Sequence, residues 1–356
     1  MRILVTGGAG FIGSHLVRAL VRDGHQVLNL DKLTYAGDPS SISDLEQVAN
    51  HEFLRIDIAD REAVGNAFGN FRPEVVMHLA AESHVDRSID DPADFVKTNV
   101  VGTSVLLDAA RDCWSAEPPA PERRFIHVST DEVFGSLGET GRFSETSRYD
   151  PRSPYSASKA ASDHLVRAWG ATYGLPVIVT NSSNNYGPCQ HSEKLVPQVI
   201  LRAMEGREIP LYGSGRQVRD WLYVEDHVSA LLAVLERGRI GATYLIGGQN
   251  ELRNIDWVTR WCGCLDDEIP RTDGRPHRES IIHVADRPGH DFRYALDISK
   301  IRTELGWQPS HSIEEGIRKT VRWYREHPEA WRRSVENEGV FRRMGQPGGK
   351  GSGGNS

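Results

Sequence analysis

Thr6-Gly7-Gly8-Ala9-Gly10-Phe11-Ile12-Gly13-Ser14 joins an apolar run at residues 2–6 to an amphipathic stretch at 11–22. Gly7, Gly10 and Gly13 have the spacing G-x-x-G-x-x-G between a predicted strand and a predicted helix. In such a loop one glycine permits the sharp turn. Another lets the backbone approach a pyrophosphate, and the third lets the helix pack closely on the strand. The helix start at Phe11 and Ile12 offers unpaired N–H groups to phosphate oxygens. The next apolar run, 26–30, leads into Asp31. A carboxylate there suits the ribose hydroxyls of an adenosine and repels a 2′-phosphate, so the loop predicts a site for NAD rather than NADP. Asp57 and Ile58 follow the third run, where they would face the adenine edge. The fourth ends at Leu79-Ala80-Ala81, where small residues let the backbone run beside the cofactor.

Outward from the loop, apolar runs at 2–6, 26–30, 52–56, 74–79, 124–128 and 177–181 alternate with helical patterns at 11–22, 61–68, 94–111 and 155–173. Near-continuous apolar runs suit strands covered on both faces. The pattern predicts an α/β fold, a Rossmann-type doubly wound parallel sheet with a smaller mixed α/β C-terminal lobe. Beyond residue 181, Pro and Gly become frequent. Helices are expected near 195–204 and 225–235, and from Ser312, where Glu315 gives capping-box spacing. The expected division is a cofactor domain over 1–181, with segments near 220–245 packing back on it, and a substrate lobe mainly over 182–330. Residues 345–356, rich in Gly and Ser, are expected to be flexible.

The chain has 356 residues, 38% hydrophobic and 26% charged, enough to bury a core and unlike a disordered composition. Lys and Arg number 42 against 49 Asp and Glu, a net charge of −7, and no basic run occurs. That balance argues against a nucleic-acid partner. No apolar run reaches the roughly 18 residues of a membrane span, and the chain opens on a strand pattern rather than a leader. Cys113, Cys189, Cys262 and Cys264 lack the spacing of a disulfide framework or a zinc site, and His84 with Asp86 forms no ligand pattern. Reduced thiols, a cytoplasmic location and no metal are expected.

A fifth run leads into Ser129-Thr130-Asp131-Glu132, and a helix then opens with Tyr155-Ser156-Ala157-Ser158-Lys159. Tyr and Lys at i, i+4 share a helix face. A nearby ammonium favours the phenolate, which makes Tyr155 a candidate base near neutral pH. These residues and the glycine loop carry a resemblance. The chain resembles the extended short-chain dehydrogenases/reductases and, within them, the dTDP-glucose 4,6-dehydratases. Matching stretches include DKLTYAG from Asp31, HLAAESHVDRS from His78, STDEVFG from Ser129, SPYSASKAASDHLVRAW from Ser153, NNYGP from Asn184 and VRDWLYVEDH from Val218.

The resemblance implies a reaction on a nucleotide hexose. Tyr155 would take the C4 hydroxyl proton as hydride passes to NAD, Lys159 would hold Tyr155 ionised and bind the nicotinamide ribose, and Thr130 would bond the C4 oxygen. With C4 a ketone, Glu132 would remove the C5 proton and Asp131 would protonate the departing C6 hydroxyl. Hydride then returns to C6, so tightly bound NAD is implied. Asp131 must be neutral while Glu132 is charged, which needs environments that push the two pKa values apart. The matched stretches also imply Lys32, Leu33, Thr34, Ser83, Thr98 and Asn185 at the cofactor. Around the substrate they imply Ser83, Asn184, Lys194 and Leu195, with Pro210, Leu211 and Tyr212 beside the base. Arg219, Asn254, Asp286, Arg287 and His290 would complete the nucleotide pocket. A homodimer through helices 94–111 and 155–173 is implied too. Three features depart from the pattern: Phe134 in place of a common tyrosine, the loop Cys189-Gln190-His191-Ser192, and Leu245 in place of a frequent asparagine. The alternatives are a 4,6-dehydratase of UDP- or CDP-glucose, or a non-catalytic NAD-binding relative.

Overall fold

The computed structural model describes residues 1–118, 120–287 and 289–328, so the stretch 345–356 lies outside the described residues. The first half runs β1 (Arg2–Thr6), α1 (Phe11–Arg22), β2 (Gln26–Asp31), β3 (His51–Arg55), α2 (Arg61–Phe71), β4 (Val75–His78), α3 (Val85–Asp90), α4 (Pro92–Phe95), α5 (Thr103–Ser115), β5 (Arg124–Thr130), α6 (Pro154–Tyr173) and β6 (Val177–Ser182). Most boundaries fall close to the sequence expectation. The exception is 94–111, expected as one helix. There α4 passes into a wide π-helical stretch, Val96–Gly102, before α5. Asn99 in that stretch donates to Glu82 O at 3.0 Å and to Ser158 Oγ at 2.8 Å, and accepts from Glu82 N at 2.9 Å. The widened turns thus coincide with side-chain bonds to the end of β4 and to α6, and π-bulges are frequent at functional sites.

The second half runs β7 (Asn184–Tyr186), α7 (Leu195–Met204), β8 (Ile209–Tyr212), β9 (Val218–Tyr223), α8 (Val224–Arg237), β10 (Thr243–Ile246), β11 (Glu251–Arg253), α9 (Asn254–Glu268), β12 (Ile281–Val284), α10 (Ser299–Leu305) and α11 (Ile313–Glu326). β10 pairs with β6, so the central sheet runs β3-β2-β1-β4-β5-β6-β10, parallel throughout. The order reverses at β1 and β4, where such sheets open a crevice. Leu16, Leu20, Leu231 and Ile301 from α1, α8 and α10 are buried in one core. Phe68, Leu106 and Val166 from α2, α5 and α6 are buried in another. The lobe packs α7, α9 and α11 around Trp257, Trp261 and Tyr186, with the short sheets β11-β9-β7 and β12-β8. Strands this brief carry little periodic signal in sequence.

Ser312 caps α11 by accepting from Glu315 N at 3.2 Å, but the Glu315 carboxylate faces Lys319 at 3.5 Å, so no reciprocal box forms there. That box forms at Ser153 and Ser156, at the head of α6. Phe134 and Leu245, two of the departures, are buried in one small apolar cluster, with Phe134 stacked on Phe143 at 5.2 Å. Among the described residues no helix is long and apolar enough to cross a membrane.

Trp257 stacks on Trp221 at 4.6 Å and meets Tyr186 edge-on at 5.0 Å. Trp257→Ala is expected to destabilise the protein by about 3–5 kcal/mol in urea unfolding. A loss below about 1 kcal/mol would show that the lobe repacks around the cavity.

Candidate active site

Gly7 adopts φ 76°, and a Cβ on it would stand 2.7 Å from Ala80 N. A Cβ on Gly13 would stand 2.0 Å from Gly7 O. Only glycines let β1, the end of β4 and the first turn of α1 come this close. α1 has no side-chain cap, so its first N–H groups stay available at the cleft. Asp31 Oδ2 accepts from Ala9 N at 3.1 Å and Oδ1 from Leu33 N at 2.8 Å, and burial raises its pKa. Gly7, Gly10, Phe11, Ile12, Gly13 and Asp31 line one cleft over the ends of β1 and β4. Farther along lie Lys32, Thr34, Ile58 and Thr98, with Leu79, Ala80 and Ala81. Lys32 Nζ donates to Thr98 Oγ1 at 2.8 Å and faces Glu82 at 3.6 Å. The uncapped helix start, the glycine cradle and the buried acid fit the phosphates and ribose of a dinucleotide.

Two expected cofactor residues are not in the lining. The Asp57 carboxylate accepts from Ala59 N at 2.9 Å and faces Lys97 at 3.7 Å, so it closes the strand end instead. Leu33 turns the chain at φ 56°, and its N–H is bonded to Asp31. Tyr35, Gln190 and His191 line the cleft without having been singled out. Tyr35 sat inside a matched stretch but carried no chemical signal of its own. Gln190 and His191 belong to the divergent loop, which Tyr324 of α11 holds by donating to Gln190 O at 2.6 Å.

Thr130, Glu132, Tyr155 and Lys159 line the same cleft, as do Ser83, Asn184, Asn185 and Lys194. Thr130 Oγ1 accepts from Glu132 N at 3.3 Å. Lys159 Nζ donates to Val128 O at 2.9 Å, and burial lowers its pKa to about 8. The expected depression of Tyr155 is not found. Burial and the charge of Glu132 push its hydroxyl well above the ordinary value, and the Thr130 hydroxyl opposes them. Asp131 lies beneath the lining, 1% exposed. Burial, then Glu132 and Asp220, raise its pKa well above the usual range. Burial raises Glu132 as well, but the charges of Arg287, Lys194 and Arg219 oppose that rise. The environment therefore favours a neutral Asp131 beside a more readily ionised Glu132.

Lys194 Nζ donates to Ser83 O at 2.9 Å. The Arg219 guanidinium donates to Asp291 O at 3.0 Å and lies 4.3 Å over the Tyr294 ring. A second group surrounds Tyr212, whose hydroxyl donates to Asp86 at 3.0 Å. Arg287 faces Asp86 at 3.7 Å, and the His290 ring meets Tyr212 at 6.3 Å. His290 Nδ1 is 2.6 Å from Asp286 Oδ1. Asn254 N donates to Gln217 O at 2.8 Å, and Gln217 donates to Asp286 at 2.7 Å. Leu211 and Leu195 are placed differently from the expectation. Leu211 is buried in the lobe core and Leu195 packs against it. Successive side chains of a strand face opposite ways, so Leu211 and Tyr212 cannot both face Asp86. Pro210 is buried within β8.

A family profile described as GDP-mannose 4,6 dehydratase matches residues 4–320. The dTDP-glucose 4,6-dehydratase of Xanthomonas campestris pv. campestris (strain B100) is 55% identical over 323 residues, covering 90% of this chain and 92% of that protein. The dTDP-glucose 4,6-dehydratase 1 of Escherichia coli (strain K12) is 55% identical over 336 residues, covering 91% and 92%. A crystal structure of a Streptomyces venezuelae dTDP-glucose 4,6-dehydratase with NAD bound matches with a TM-score of 0.85 at 43% identity, covering 94% of this chain and 100% of that one.

The raised pKa of Asp131 has a measurable sign. The unfolded carboxyl ionises near its ordinary value and the folded one far above it, so wild type loses stability as pH rises between the two. Asp131→Asn escapes that loss. Its stability relative to wild type is expected to grow as pH rises above the ordinary carboxyl range, by up to about 1.4 kcal/mol per unit in urea unfolding. A difference independent of pH would mean that the folded carboxyl is already ionised.

Proposed function

The chain belongs to the GDP-mannose 4,6 dehydratase family, and from that premise we propose that it converts dTDP-glucose to dTDP-4-keto-6-deoxyglucose and water, with NAD regenerated in each turnover. The observation that carries the reading is the unequal pair of acids after β5, Asp131 pushed toward neutrality and Glu132 faced by three cations. An epimerising or simply oxidising site needs no such pair, whereas elimination needs an acid and a base together. The two relatives named for dTDP-glucose match over 92% of their own length, which favours that sugar nucleotide over the one in the family description.

NAD held at the glycine loop supplies a hydride acceptor for C4 and a donor for C6. Tyr155, in the phenolate form that the Lys159 ammonium favours, takes the C4 hydroxyl proton, while Thr130 holds that oxygen. Glu132 then removes the C5 proton, now acidic beside a ketone. Asp131 gives its proton to the departing C6 oxygen, one water leaves, and a proton returns to C5 as C6 is reduced. Lys194, Arg219 and Arg287 suit the diphosphate. Tyr212, held by Asp86, and His290, held by Asp286, border the base, with Asn254 joined to Asp286 through Gln217. The reading includes a cofactor domain over 1–181 completed by β10, a substrate lobe over 182–330, and a cytoplasmic homodimer. Ile89, Val96, Val101 and Tyr173, all at least 44% exposed, are apolar surface that a second copy would cover.

Mass spectrometry of the purified protein with dTDP-glucose and no added NAD is expected to show loss of one water without net NADH. Unchanged dTDP-, UDP- and CDP-glucose, even with NAD supplied, would overturn the reading. Tyr155→Phe is expected to cost turnover roughly 10²–10⁴-fold while NAD stays bound. Loss of both would mark a structural role. In Glu132→Gln, C4 oxidation is expected to outrun elimination, so NADH absorbance accumulates. Unimpaired exchange of the C5 proton in that variant would refute the base assignment.

A further inference from the structure

Behind Lys159 lies a buried polar cluster that the steps above do not use. Asp163 sits on α6 one turn past Lys159 and two turns past Tyr155, and is 0% exposed. The Tyr149 hydroxyl donates to Asp163 Oδ2 at 2.7 Å, and Asn181 Nδ2 donates to the same oxygen at 3.0 Å. His127 Nε2 stands 3.2 Å from Asp163 Oδ1. Asn181 Nδ2 also donates to Thr130 O at 3.1 Å, so one amide joins the carboxylate to the strand end bearing Thr130.

A carboxylate this deep persists in charged form only with donors and a counter-charge. The donors are Tyr149 and Asn181, and His127, Tyr149 and Lys159 together hold the Asp163 pKa below the usual range. The counter-charge is Lys159, one turn earlier on α6. His127 of β5 and His78 of β4 are kept neutral by burial, His127 with its pKa lowered to about 4. On α6, burial and Glu132 raise the pKa of the Tyr155 hydroxyl, and Arg167 donates to the Tyr149 hydroxyl at 2.8 Å. Asp131 and Glu132, in the turn after β5, act on Tyr155. Burial lowers the Lys159 pKa, and Asp163 is the anion that opposes it.

We infer that Asp163 is a positioning residue of this site: its carboxylate, oriented by Tyr149 and joined through Asn181 to the strand end that carries Thr130, keeps the Lys159 ammonium charged. The inference rests on the proposed reaction for its kinetic consequence alone. Removing the negative charge lowers the pKa of Lys159, so the ammonium is lost at lower pH.

The test uses the full chain labelled with ¹³C-lysine. The ε-carbon signal of Lys159 is assigned by its disappearance in Lys159→Met. Its titration midpoint is expected near 8 in wild type. In Asp163→Asn it is expected to fall by roughly one to three pH units, and in Tyr149→Phe, which keeps the charge, to stay in place. The alkaline limb of kcat should move to lower pH in Asp163→Asn alone. An unchanged midpoint in Asp163→Asn would overturn the inference. So would an equal fall in both variants, which would mark mere loosening. If Asp163→Asn does not fold, the smaller Asp163→Ser is read in the same way. If wild type does not dehydrate dTDP-glucose, the proposed function fails while the titration still decides the role of Asp163.

Discussion

Everything at the cleft depends on a contact that tolerates no side chain. Gly7 abuts the backbone of Ala80, and Gly13 abuts the carbonyl of Gly7. This places the start of α1 directly over the ends of β1 and β4, at the point where the strand order reverses. Because α1 starts without a capping side chain, the same close approach turns unpaired N–H groups toward the cleft. Asp31 then bonds Ala9 N and Leu33 N, joining the glycine loop to the end of β2. Binding geometry and fold geometry are one arrangement here.

Burial sets the chemistry on the other side of the cleft. It acts in the same direction on every acid, raising Asp131, Glu132 and the Tyr155 hydroxyl. What separates them is the sign of the neighbouring charge. Asp131 has Glu132 and Asp220 nearby against Arg219, while Glu132 has Arg287, Lys194 and Arg219 against Asp291. Both carboxyls are raised, Asp131 the more strongly, which is the direction that acid and base work at a single pH requires. The basic side chains of the lobe thus bear on proton transfer as well as on anion recognition.

The two halves of the molecule meet through side chains from three distant segments. Arg87 lies 3.8 Å over the Tyr35 ring and pairs with Glu193, and Tyr35 meets the His191 ring at 5.5 Å. Tyr35 belongs to the loop after β2, Arg87 to α3, and Glu193 and His191 to the divergent loop before α7. The divergent loop is therefore anchored to the cofactor side through His191 as well as to α11 through Tyr324.

What could be read from the sequence was local. The glycine spacing, the apolar runs and the i, i+4 pair Tyr155 and Lys159 are decided by neighbours within a turn or a strand, where steric and periodic rules act on adjacent residues. They sufficed for the parallel sheet, the position of α1 and the cleft. The tertiary structure decided the rest. Asp57 became a strand-end cap, and Leu211 turned into the lobe core. The 94–111 segment widened around Asn99, whose partners are Glu82 and Ser158. Burial and Glu132 raise the pKa of the Tyr155 hydroxyl, although Lys159 lies one turn away. Asp163 acquired Tyr149, Asn181 and His127 from three other segments. Each of these outcomes depends on how much water is removed and which charges stand nearby. Those are sums over residues far apart in the chain, and they take a value only when the fold brings them together.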